Sequence, residues 1–294
     1  MRMDGRRQSS HVDDRRGRTA KVAGGLGLGG ILLVALLSYL GGGNPLEAIF
    51  GAISQSGGIN LGGQTTSQQA EPYQPTAEEE ELAVFARQIL AGTEDVWTEL
   101  FARQGKRYTP PKLVLFTDAV QSGCGGATKQ TGPFYCSADQ NVYLDLSFFS
   151  SMRRDLGADG DFAYAYVIGH EIGHHVQHLL GTLDQAHARM QRLGKEEANR
   201  ISVRLELQAD FYAGVWAHHD NARFGSLEDG DIEEAIRCAQ VIGDDFLQKK
   251  ARGYVQPDSF THGTSASRMR WFKRGLASGN LADGDTFSVP FDQL

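Results

Sequence analysis

Apolar residues fall at helical spacing through most of the chain beyond residue 75. From Thr76 to Gln104, positions such as Leu82, Phe85, Ile89, Trp97 and Leu100 mostly recur every three or four residues. That is the period of one helix face. Thr76 followed by Glu79 is a capping-box signal at its start. Lys112–Phe116 (KLVLF) is a short apolar run after two prolines and predicts a strand, as does Asn141–Leu146 (NVYLDL). The second of these reads either as a core strand or as an edge on which an extended peptide could pair. Phe162–Leu180 predicts a helix stopped by Gly181, followed by helices over Leu183–Leu193 and Glu196–His218. Leu227–Tyr254 is helical with Gly243 interrupting it, and Thr264–Leu276 is the last helix. The pattern is α+β, rich in helix, with a small β-sheet.

The first 75 residues follow a different pattern. Val22–Leu40 is 19 residues long and carries no charge. At 1.5 Å per residue it approaches the ~30 Å of a bilayer core, so it predicts a single transmembrane helix. A cleaved signal peptide fits less well, because the charged lead is long and no small-residue cleavage site follows. Five glycines in the first nine residues argue against a core helix. Residues 41–75 are rich in Gly, Ser and Gln and read as a flexible linker. The expected organisation is a basic cytoplasmic lead (1–21), a membrane span (22–40), a linker (41–75) and one globular domain (76–294).

Charge sharpens this division. Residues 1–70 hold seven Lys or Arg against four acids, whereas the rest holds 22 against 32. The positive-inside rule puts the lead in the cytoplasm and the domain outside, on the periplasmic side of a bacterial inner membrane. An acidic domain also argues against nucleic acid as a partner. Of three cysteines, Cys124 and Cys136 bracket a turn-rich loop and suit a disulfide in an oxidising compartment. Cys238 sits on an amphipathic stretch and reads as a small core residue.

The candidate chemistry lies in the 162–180 helix, which contains His170-Glu171-Ile172-Gly173-His174. Imidazoles four residues apart share a helix face and can reach one Zn²⁺, while Glu171 can take a proton from water at the metal. His178 continues the ladder but lies about 12 Å from His170 along the axis, too far to share the ion. His175 points off the face. The third ligand is sought in Glu206-Leu207-Gln208-Ala209-Asp210, another i, i+4 pair on an apolar helix. Glu206 would complete the ligand set, and Asp210 would accept the spare N–H of a ligand histidine. H-E-x-x-H followed by E-x-x-x-D is the gluzincin metal site.

On these motifs the chain resembles the bacterial membrane-anchored neutral zinc metallopeptidase family. GRRQSSHVDDRRG, PFYCSADQNVYLDLSFF, IGHEIGHHVQHLLG, LELQADFYAG and SFTHGTSASRMRWF carry the resemblance, which covers nearly the whole chain. It implies a zincin-like catalytic domain, Zn²⁺ as cofactor and a protein or peptide substrate. The E-x-x-A-D helix is also similar to that of membrane-associated gluzincin peptidases, where a later His–Pro–Arg segment closes the site. Here THGTSASR offers His262 and Arg268, with Gly263 in place of that proline. His262, Tyr212 or Tyr254 could then stabilise the oxyanion. Two other functions fit the same residues: a non-catalytic zinc-binding module that holds a protein partner, and a zinc amidase acting on cell-wall peptides.

Overall fold

The computed structural model describes residues 1–18 and 73–294. The predicted span Val22–Leu40 and nearly all of the 41–75 linker lie outside the described residues. Among the described residues no helix is long and apolar enough to cross a membrane.

The lead enters the fold as β1 (Val12–Asp14), and the chain resumes in α1 (Ala77–Arg103). Thr76 and Glu79 close the expected capping box at the start of α1. β2 (Lys112–Phe116) follows, then a hairpin of β3 (Ala119–Ser122) and β4 (Gly125–Thr128). β5 (Phe134–Cys136) and β6 (Asn141–Asp145) complete a four-stranded sheet in the order β1-β2-β6-β5. The β1/β2 and β2/β6 pairs are parallel and β5/β6 is antiparallel. β6 is therefore interior, which excludes it as a docking edge. Cys124 and Cys136 are bonded, with their Cα atoms 5.8 Å apart, and this ties the hairpin to β5.

A short helix, α2 (Ser147–Ser151), leads into the helical layer: α3 (Asp161–Leu179), α4 (Thr182–Met190) and the long α5 (Lys195–Phe224). The predicted 227–254 segment is two helices, α6 (Asp231–Val241) and α7 (Asp244–Arg252), broken at Gly243 as expected. α8 (Ser265–Ser278) is capped by Thr264, whose hydroxyl accepts from the Ser267 N–H. One large core joins α1, α3, α5, α6 and α8 around Trp97, Phe162, Tyr166, Trp216 and Phe272, and Cys238 is buried in it.

Two glycine contacts bring the helices to backbone distance. A β-carbon at Gly173 of α3 would lie 2.8 Å from the Ala209 carbonyl oxygen of α5. One at Gly275 of α8 would lie 2.1 Å from the Phe211 carbonyl oxygen. These crossings hold α3 and α8 against α5, the first of them beside His174.

Candidate metal centre

His170 and His174 project from one face of α3, and Glu206 meets them from α5. Their ligand atoms all lie within 4.8 Å of one another. The Glu206 carboxylate is 3.2 Å from His170 Nε2 and 3.5 Å from His174 Nε2. Donors about 2.0–2.1 Å from a tetrahedral Zn²⁺ stand about 3.3 Å apart, so these spacings fit that ion. Two imidazoles and a carboxylate also suit Zn²⁺ in chemical type.

Each histidine of the pair is oriented by a buried neighbour. Asp210 accepts from His170 Nδ1 at 2.7 Å, which leaves Nε2 to face Glu206. Asp210 is itself fully buried and is held by Arg268, through Nε at 2.8 Å and Nη2 at 2.9 Å. The Tyr166 hydroxyl donates to the same carboxylate at 2.5 Å. His174 Nδ1 faces Gln177 Oε1 at 2.9 Å. Gln177 Nε2 donates to the Leu205 carbonyl and to Gln208 Oε1, and Gln208 donates on to the Gly284 carbonyl.

Burial opposes charge on every one of these groups, and their mutual contacts decide the outcome. Burial alone would lower His170, but Asp210 and Glu206 raise it to about 10. His174 is lowered to about 4, by burial and then by the neighbouring His170 charge. Burial would raise Glu206, but His174, His262 and His170 hold it far below the usual carboxylate range. Glu171 goes the other way: burial pushes it up to about 7, even with a backbone hydrogen bond from Tyr135 of β5. A carboxylate poised near neutrality beside a metal cradle suits a general base.

His262 reaches the site from the loop before α8. Its ring is held by Asp244, with Nδ1 3.3 Å from Oδ1, and Asp244 Oδ2 also accepts the backbone N–H groups of Thr261, His262 and Gly263. Burial lowers the His262 pKa, but Glu206 and Asp244 outweigh it and raise it. The ring thus belongs to the electrostatic neighbourhood of the His-His-Glu cluster. Tyr212 is buried against Trp97, and Tyr254 lies exposed beneath Arg252. His175 bonds Tyr135 and the Thr109 carbonyl, and His178 bonds Asp184.

Four residues of this arrangement escape the sequence motif: Tyr166, Gln177, Gln208 and Asp244. Tyr166 and Gln177 carried a readable signal, lying four residues before His170 and three after His174 on one helix face. Asp244 had none, since it meets His262 only through the packing of α7 against a loop.

Two histidines and a glutamate from crossing helices, with an oriented carboxylate beside them, define a zinc-peptidase class of site. The chain belongs to the family described as "Putative neutral zinc metallopeptidase", which matches residues 1–287. It is 47% identical over 294 residues to the uncharacterized protein YpfJ of Escherichia coli strain K12, covering 98% of this chain and 99% of that protein. It is 41% identical over 192 residues to the uncharacterized protein Rv2575 of Mycobacterium tuberculosis strain H37Rv, covering 62% of this chain and 64% of the relative. No solved structure matches the chain. Zinc is the family's cofactor, and His170, His174 and Glu206 form a group able to hold it.

Proposed function

We propose that the protein is a zinc endopeptidase of an oxidising, extracytoplasmic compartment. The observation that carries this reading is the carboxylate of Glu171, buried on the same helix turn as the two histidines. A site that only stored zinc would have no use for a buried carboxylate there, and burying one is costly.

When bound, zinc supplies Lewis acidity, acidifying water and polarising a carbonyl. His170, His174 and Glu206 would hold it. Glu171 accepts a proton from the attacking water and returns it to the leaving amine. His262, steadied through Nδ1 by Asp244, donates from Nε2 to the oxygen that gains charge. Asp210 and Gln177 keep the two ligand imidazoles in the tautomers that leave Nε2 free. β5 lies beside Glu171 and donates its Tyr135 backbone N–H to that carboxylate. The Cys124–Cys136 bond supports an oxidising compartment.

The test is hydrolysis of a protein or peptide library by the intact chain, its loss with a chelator and its return with zinc. Release of cell-wall fragments with no cleavage of the library would favour the amidase. Stoichiometric zinc without hydrolysis of either substrate would favour the binding module.

A further inference from the structure

The arginines of the lead suggest a cytoplasmic flank because they precede an uncharged stretch. Folded, they have a different role. Arg6 grips Asp220 of α5 with contacts of 2.6 and 3.2 Å, and Asp220 is fully buried. Arg7 reaches Glu94 and Asp95 of α1 at 2.8 and 2.7 Å. The Ser9 hydroxyl donates to the buried Glu94. Arg16 bonds Asp14 and Glu80 with its side chain only 6% exposed. Buried acids on α1 and α5 thus take their counter-charges from the lead, and a buried charge without its partner is strongly destabilising.

The backbone agrees. β1 pairs with β2 in register, Val12 against Leu113 and Asp14 against Leu115. The two described ends also meet: a β-carbon at Gly17 would fall 2.0 Å from that of Tyr73. A single bilayer crossing would set its two ends about 30 Å apart on opposite faces, and a return would need a second crossing.

We propose that the lead and the metallopeptidase domain share one compartment, the lead being the edge strand and charge partner of the domain. The basic cluster is explained by folding, so it no longer argues for cytoplasmic retention. This inference is independent of the peptidase reading, and its test needs no activity.

The full chain would be expressed in bacterial cells with one reporter cysteine at a time. Ser10→Cys and Gln8→Cys report on the lead and Ala277→Cys on the domain, all at exposed positions. Background is low because Cys124 and Cys136 are bonded and Cys238 is buried. A membrane-impermeant maleimide is applied to intact spheroplasts and again after lysis. Lead and domain reporters are expected to behave alike, all labelled when intact or all protected until lysis. Labelling of Ala277→Cys in intact spheroplasts, with both lead reporters protected until lysis, would overturn the proposal. The reverse pattern would overturn it equally.

Discussion

The Gln177 amide can sit only one way round. Its nitrogen donates to the Leu205 carbonyl at 2.7 Å, so its oxygen must face His174 and accept from Nδ1. That hydrogen bond leaves His174 Nε2 with a lone pair towards Glu206. Gln177→Leu is therefore expected to weaken zinc binding by about 10–100-fold, the usual cost of losing such a partner. Competition with a coloured chelator reads the change. Unchanged affinity would show that the hydrogen bond to Gln177 does not orient His174. His170 makes a pH prediction. Its pKa, raised to about 10 in metal-free protein, leaves it charged at neutral pH. Zinc must displace that proton, so affinity should climb with pH through the neutral range, with proton release on binding. Titration calorimetry in buffers of different ionisation enthalpy measures the release, and finding none would contradict the assignment. The same raised pKa stabilises the metal-free fold below about 6.5, a contribution lost as pH rises through about 10.

At the scale of elements, the site depends on how closely α3 and α5 approach. Gly173 faces the Ala209 backbone, which cannot yield as a flexible side chain can. Gly173→Ala should cost about 1–3 kcal/mol, as overpacking does. It should also draw Glu206 away from the histidine pair, so zinc affinity falls while the helical signal persists in circular dichroism. Unchanged affinity would mean the crossing adjusts elsewhere. The helices were legible because their own spacing and caps mark them: Thr76, Gly181, Gly243 and Thr264 all fall where the structure ends or begins a helix. The histidine–glutamate cluster was legible for the same reason, since the i, i+4 period displays chemistry within one element. The β1 strand, the β3–β4 hairpin and β5 were not. They are three or four residues long, and pairing with distant partners, which periodicity does not record, makes them strands. Asp244 was hidden by the same kind of distance.

For the whole molecule, the lead is the largest departure from the linear reading. Residues 1–18 look like a detached basic flank in sequence, yet Arg6 neutralises a buried aspartate 214 residues away. Arg6→Ala should destabilise the protein by about 3–5 kcal/mol, because Asp220 then stays buried and unpaired. Urea denaturation reads this as a lower midpoint at unchanged slope. Parent-like stability would mean that Asp220 finds water or another partner. A fragment starting near residue 75 would lack these contacts, so the full chain is the proper subject for activity.

Glu171 is proposed to move the proton in a reaction at the His170–His174–Glu206 centre. The most direct measurement pairs zinc content with peptide hydrolysis in the full chain and in Glu171→Gln, whose amide keeps the shape but cannot take a proton. One zinc in each protein and hydrolysis in the parent alone are expected. Equal hydrolysis by Glu171→Gln, or a well-folded parent that takes up no zinc, would contradict that proposal.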